Sequence, residues 1–348
     1  MKHDLHEPIL GCLLGTAVGD ALGLPTEGMS RQRAGRYHRS LGHRLIFGHG
    51  MLSDDTEHTL MVATAWLRHP KDPIAFQKSL GWSLRGWMLA LPAGVGLSTA
   101  KAILRLWIGF PAHRAGVRSA GNGAAMRSAI LGVLFSDDEE LRVTFTLAAC
   151  RLTHTDSRAE ESALLVAEAA ALAAHQADTA DILQRLRPHI QSREMIERFA
   201  KLETALQHEL SVADYVATIG CEKGVSGFAP NTVAVALYAW LRHRADFKEV
   251  LTQVIVCGGD TDTVAAIAGG ICGAEVGEAG IPKPWINGLT DWPRSVPYIR
   301  RVAEALSQSL HGKTFQRPRL PTLMILPRNL LFLVVVLAHG FRRLLPPY

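Results

Sequence analysis

The chain has 348 residues, 48% of them hydrophobic and only 7% aromatic. That is enough apolar material for a large core, in a composition that favours helix over sheet. Net charge is +5, but six cations (Lys313, Arg317, Arg319, Arg328, Arg342 and Arg343) and no Asp or Glu lie beyond residue 305, leaving the rest at about −1. A near-neutral body argues against nucleic acid as a partner of the main domain.

Residues 8–23 carry Ile9, Leu10, Leu13, Leu14, Ala17, Val18 and Ala21 at helical spacing. Gly11, Gly15, Gly19 and Gly23 recur every four residues on another face. Glycine lowers helix stability, so the ridge predicts a second backbone passing close, for core packing or beside a ligand. Asp20 is expected to cap or brace this packing, and Glu27 falls in a loop just past the helix. The next helix starts at Ser53 as N-cap and runs to about Arg68, with Asp54, Asp55 and Glu57 in its first turn, where acidic groups suit the helix dipole. Many helices begin this way and bind nothing.

Helices are predicted over 74–90 and 97–108, ending near Pro92 and Pro111. A turn at Ser119-Ala120-Gly121-Asn122-Gly123 precedes a helix from Ala124 to Phe135. One long Ala-rich helix is expected over 158–186, then a pair over 195–219 and another from Pro230 to Arg244. Residues 246–257 lead into Gly258-Gly259-Asp260-Thr261-Asp262-Thr263, which opens a helix of small residues through about Glu278. No alternating strand pattern and no fixed-period repeat is present. The expected fold is all-α, with a single catalytic domain over 5–312 and an apolar, basic tail over 313–348.

In that tail Pro327 and Arg328 separate Leu323–Ile325 from Leu330–Ala338, and the longer uninterrupted run is too short to span a bilayer. Flanking cations suit a peripheral membrane anchor; packing onto the domain or a partner is the plainer reading and the preferred one. The five cysteines (Cys12, Cys150, Cys221, Cys257 and Cys272) form no C-x-x-C pair, and the first residues show no secretory signal. A reduced, cytoplasmic setting is expected.

The chemistry lies in the two acidic clusters. Carboxylates this close repel unless protons or cations lie between them, and apolar runs follow both, so burial without compensation would be expensive. Oxygen-only donors point to magnesium or manganese rather than zinc. Convergence of Asp54 and Asp55 with Asp260 and Asp262 would suit a pair of ions, with Asp262 as a bridge. Gly121-Asn122-Gly123 ahead of a helix offers backbone N–H groups to a phosphate, although an isolated motif of this kind is far more often a turn. His154 has no thiol or second histidine beside it and is most simply structural.

In this order, Gly11–Glu27 (GCLLGTAVGDALGLPTE), Ser53–Thr59 (SDDTEHT), Gly121–Arg127 (GNGAAMR), Thr153-His154 and Gly258–Thr263 (GGDTDT) resemble the ADP-ribosylglycohydrolase family, over residues 11 to about 275. The resemblance implies a single orthogonal helical bundle with two Mg2+ or Mn2+ ions, hydrolysing the glycosidic bond between ADP-ribose and a modified acceptor. It implies that Ser53, Asp54, Asp55 and Asp262 surround one ion, and Asp260, Asp262, Thr263 and Glu27 the other. The loop Gly121, Asn122, Gly123 and Ala124, with Met126, would cradle the diphosphate, His154 would touch the ligand, and Gly227-Phe228 would line the nucleoside side. Asp54 would touch the substrate as well as a metal.

Asp55, Glu27 and Asp260 are the candidates for the proton transfers. The expected substrate is an ADP-ribosylated protein, modified on arginine, with a cognate ADP-ribosyltransferase as a possible partner. The alternatives are another ADP-ribosyl linkage (serine, a nucleic-acid end or a small metabolite), or an immunity protein that neutralises a transferase by binding. Ser53 departs from the Thr common in the family but supplies the same hydroxyl, and the tail beyond residue 315 matches nothing in it.

Overall fold

The computed structural model describes residues 4–37 and 41–343. Among these there is no β-strand, only isolated bridges between loops, which agrees with the all-α expectation. The centre is a pair of helices, the first of the chain, α1 (His6–Gly23), and one that begins some 240 positions later. Every residue of α1 from Ile9 to Gly23 is buried. A helix apolar on all sides belongs in a core.

The remaining helices follow in order: α2 (Arg31–Tyr37), α3 (Asp54–Arg68), α4 (Pro73–Leu89), α5 (Leu97–Trp107), α6 (Ala112–Ala115), α7 (Ala129–Leu134), α8 (Glu139–Arg151) and α9 (Ser157–Ala174). Then come α10 (Thr179–Leu186), α11 (Arg193–Gln207), α12 (Val212–Thr218), α13 (Ala229–Arg242), α14 (Phe247–Ile255), α15 (Thr261–Val276), α16 (Lys283–Asn287), α17 (Val296–Leu310) and α18 (Ile325–Arg342). Side chains at the N-caps Ser53, Asp72, Asp138, Asp156, Asp178, Ser192, Ser211 and Asp246 accept hydrogen bonds from first-turn N–H groups. Such caps each contribute on the order of 1 kcal/mol.

The glycine ridge explains the central pair. A methyl at Gly11, Gly15, Gly19 or Gly23 would stand 2.0–2.3 Å from the carbonyl oxygens of Gly273, Gly269, Ala265 and Thr261. Backbone therefore packs on backbone along the whole of α1 and α15, and the ridge serves core packing. This contact carries the end of α1 to the start of α15. Around the pair, α3, α7, α9, α13, α14 and α17 complete the core.

The structure departs from the sequence reading at several elements. The helix expected over 124–135 is a turn of 3-10 helix at Ala125–Arg127 followed by the short α7. The expected 158–186 helix ends at Ala174; Gln176 takes φ 53° and Asp178 caps the separate α10. Pro327 does not interrupt the tail, and contrary to expectation the segment Thr322–Arg342 is long and apolar enough to span a bilayer. The proline lies in the first turn of the 18-residue α18, where its missing N–H has no helical acceptor to lose. As preferred, the tail packs on the domain: Phe332 is buried with Leu24 and Met51, against Leu45, Ile46 and Ala93.

Candidate active site

Helix α3 begins on a carboxylate cradle. Asp20, fully buried in α1, accepts hydrogen bonds from the Ser53 N–H at 2.9 Å, the Thr56 N–H at 3.2 Å and the Thr56 hydroxyl at 2.5 Å. It braces the helix start, as expected. Ser53 Oγ accepts from the Asp55 N–H at 3.4 Å and donates to Asp55 Oδ2 at 3.3 Å.

The second cluster is built by close backbone approach. Gly258 and Gly259 have φ of 72° and 84°, and a methyl there would strike Arg31 N at 2.6 Å and Val225 O at 2.0 Å. Only glycine fits both demands. The Gly28 N–H donates to Gly259 O and the Gly259 N–H to Met29 O, both at 2.7 Å, so the loop bearing Glu27 is tied to the loop bearing Asp260. The two clusters meet where Thr263 Oγ1 donates to Asp55 Oδ2 at 3.3 Å.

A third wall comes from the glycine turn. Asn122 donates through Nδ2 to Asp260 Oδ2 at 2.7 Å and Thr232 Oγ1 at 3.0 Å, while its own N–H donates to Gly227 O at 3.0 Å. The N–H expected to meet a phosphate at Asn122 is thus committed within the protein, and Gly121 N–H points to Ser119 Oγ at 3.3 Å. Fully buried Arg127 holds this turn by donating to Gly123 O at 2.9 Å and Thr153 Oγ1 at 2.6 Å. The His154 ring lies against the turn, with Nε2 3.4 Å from where a Gly121 methyl would stand and Cε1 3.1 Å from a Gly123 methyl. Burial, and then Arg127, push its pKa down to about 3, so His154 is neutral.

These walls enclose a cavity of about 270 Å³. Of the residues singled out from sequence, Glu27, Asp54, Gly121, Asn122, Gly123, Met126, His154, Gly227, Asp260, Asp262 and Thr263 line it. Ser53 and Asp55 sit buried behind it. Ala124 does not reach the cavity; it is packed with Cys150 and Ala163 because the 3-10 turn rotates it inward. Phe228 stands outside the lining, its ring flanked by the Arg158 and Arg198 guanidinium groups at 5.5 and 5.7 Å. Sequence reasoning missed a fourth wall, Gly94 and Gly96 to Thr99 at the start of α5. Two glycines ahead of a helix with Ser and Thr in its first turn were the available signal.

Charge is crowded here and finds little cationic compensation. Burial pushes the carboxyls of Asp54, Asp55 and Asp262 well above the ordinary range, and mutual repulsion adds to it: from Asp20, Glu57 and Glu27 on Asp54, from Asp54, Asp20 and Asp260 on Asp55, and from Glu27, Asp260, Asp55 and Asp20 on Asp262. Glu27 is raised by desolvation in the cleft and by Asp260, against a lowering pull from Arg343. Asp55 Oδ1 is buried with no hydrogen-bond partner in the protein. An orphaned carboxylate oxygen among oxygen-only donors fits a hard divalent cation. Among the described residues no three His, Cys, Asp or Glu side chains are already gathered in metal-holding geometry; Asp55 Oδ2 and Asp260 Oδ2 are engaged by Ser53, Thr263 and Asn122.

Known proteins share this architecture. The family described as ADP-ribosylglycohydrolase matches residues 1–318. An uncharacterised protein of Archaeoglobus fulgidus is 32% identical over 82% of this chain and 93% of its own length. The ADP-ribosyl-[dinitrogen reductase] glycohydrolase of Rhodospirillum rubrum is 27% identical over 87% of this chain and 96% of its own. A solved structure titled ADP-ribosylglycohydrolase-related protein complex superposes with a TM-score of 0.64 at 28% identity, covering 88% of this chain and 98% of that one. The chain, with its two acidic helix starts joined over one cavity, belongs to the ADP-ribosylglycohydrolase family.

Proposed function

We propose that the protein hydrolyses the glycosidic bond between ADP-ribose and a modified protein side chain, with arginine as acceptor. The observation that carries this reading is the convergence of both acidic clusters on a single cavity whose other walls are a glycine turn, Met126 and a neutral histidine. Arginine is taken as the acceptor because it is the one named for a relative, the ADP-ribosylarginine hydrolase Tri1 of Pseudomonas putida, 25% identical over 85% of this chain.

Ser53, Asp54, Asp55, Asp260, Asp262, Thr263 and Glu27 are the residues that would hold a pair of Mg2+ or Mn2+ ions. When bound, such ions supply Lewis-acid polarisation and acidify water. The protein's own groups divide the rest of the work. Met126 and the Gly121–Gly123 turn shape one side of the sugar-phosphate channel, and neutral His154 offers hydrogen bonding without charge. Asp260 is oriented by Asn122. Glu27 is assigned to the proton transfer: it lines the cavity, and desolvation with Asp260 beside it raises its carboxyl. Asp55, wholly behind the cavity wall, is assigned to holding the cation rather than to proton transfer.

The test is release of ADP-ribose from arginine-linked and serine-linked protein substrates, with Mg2+, with Mn2+ and with chelator. Metal-dependent release from the arginine substrate is expected. Release from the serine substrate alone would replace the acceptor, and no release from either would overturn the hydrolase reading.

A further inference from the structure

Helix α18 is amphipathic in the opposite sense to a soluble surface helix. From Leu326 to Phe341 its exposed residues are Leu326, Pro327, Leu330, Leu331, Leu333, Val334, Leu337, Ala338 and Phe341, all apolar. Its polar residues turn inward. Arg328 is buried, donating to Glu57 Oε1 at 3.2 Å and also to Asp291 and to the Leu52 carbonyl. Asn329 is fully buried and donates to Ala90 O at 2.8 Å, and His339 is half-buried with Nε2 2.9 Å from Pro25 O. A helix facing water shows the reverse pattern. Single exposed Leu residues need no explanation, but a continuous face of them does.

We propose that this outer face docks on an anionic lipid surface, with α18 lying in the plane of the interface. The segment Thr322–Arg342 is long and apolar enough to cross a bilayer. Crossing would nevertheless tear Arg328 from two buried carboxylates and Asn329 from Ala90, so the helix stays on the domain and presents only its outer side. The two loops that cradle it, through Leu45, Ile46 and Ala93, expose Phe47 and Leu91, further apolar groups for the acyl boundary.

Charge selects lipid over a second copy of the chain. Arg342 and Arg343 end the helix, and Arg33 reaches the same end by donating to Arg343 O at 2.9 Å, while Arg317 and Arg319, before the helix, share a groove with Glu7, Glu278 and Glu304. No Asp or Glu occurs in the chain after Glu304. Pairing two such helices in parallel sets this cationic end against itself, whereas phosphate headgroups neutralise it.

The experiment is co-sedimentation of the full chain with phosphatidylcholine vesicles and with vesicles containing phosphatidylglycerol. Binding is expected to the anionic vesicles, weaker to the neutral ones, and reduced by added salt. The variant Leu330→Ser/Val334→Ser/Leu337→Ser should lower partition at least tenfold while leaving the melting temperature and ADP-ribose release unchanged, since all three side chains point away from the domain. Failure of the full chain to sediment with either vesicle overturns the proposal, as does unchanged partition of the triple variant. A concentration-dependent dimer that the triple variant abolishes, without vesicle binding, assigns the face to a second copy instead.

Discussion

Two parts of the first turn of α3, three residues apart, treat their carboxylates in opposite ways. Glu57 is buried and fully partnered: Arg294 donates to Oε1 at 2.7 Å, Arg328 at 3.2 Å, and the Trp87 indole donates to Oε2. Asp54 and Asp55, on the cavity side, meet other carboxylates and two hydroxyls instead. Burial alone does not mark a functional acid. The distinction lies in whether the fold brings a cation of its own: beside Glu57 it brings two arginines, and on the cavity side the acids face one another.

The sharpest way to break this contrast is at its unpaired side. Replacing Asp260 and Asp262 together by Ala should reduce ADP-ribose release on the order of a thousandfold or more. It should also abolish the rise in melting temperature caused by Mn2+. A double variant that still melts higher with Mn2+ would place the cation elsewhere. The paired side should fail differently. Arg328→Ala leaves Glu57 and Asp291 buried beside fewer cations, and urea denaturation should show a loss of about 3–5 kcal/mol. A loss well below that would make the arginine dispensable and dissolve the distinction.

The smallest expected effect is on pH dependence. Asp54, Asp55 and Asp262 have folded pKa values above their unfolded ones, and Asp20 is raised to about 6 by burial. The folded chain therefore holds protons that the unfolded chain gives up near about pH 4. Their contribution to stability is complete below that pH and is lost as pH rises through the folded values. Metal-free protein should lose several degrees of melting temperature between about pH 5 and pH 7 relative to protein loaded with Mn2+. Identical slopes with and without metal would show that no cation replaces those protons.

Much of this was legible because it is local. Ser53 as an N-cap, the glycine spacing of α1 and the Gly258-Gly259 turn each follow from a few adjacent residues. Most of the site residues named from sequence line one cavity, because helix starts and glycine turns are where a chain can present several polar groups together. What stayed hidden depends on partners distant in sequence. The break between α9 and α10 turns on one residue in a left-handed conformation, and the helices Glu139–Arg151, Lys283–Asn287 and Val296–Leu310 went unread. The clamp of Arg328 on Leu52 and Glu57 joins positions over 270 apart in the chain, and its third partner Asp291 is 37 away, so nothing near Arg328 announces it. Asn122 lines the cavity, but the bonds of its side-chain amide to Asp260 and Thr232, 138 and 110 positions away, have no local signal.

The backbone contact between α1 and α15 carries an ambiguity of registration. Glycines four residues apart repeat about every 6 Å along a helix, so sliding one helix by a single turn would offer Gly11 to Gly269 much as Gly15 meets it now. The ridge alone behaves like a ruler with identical graduations. Its zero mark is at the far end, where Thr261 Oγ1 donates to Gly23 O at 2.8 Å and lies 3.2 Å from Thr26 Oγ1. A slip of one graduation would move Asp262 away from Asp55 by more than the length of either side chain. Together with the backbone bonds between Gly28, Met29 and Gly259, these two threonine hydroxyls hold the register in which the carboxylates meet.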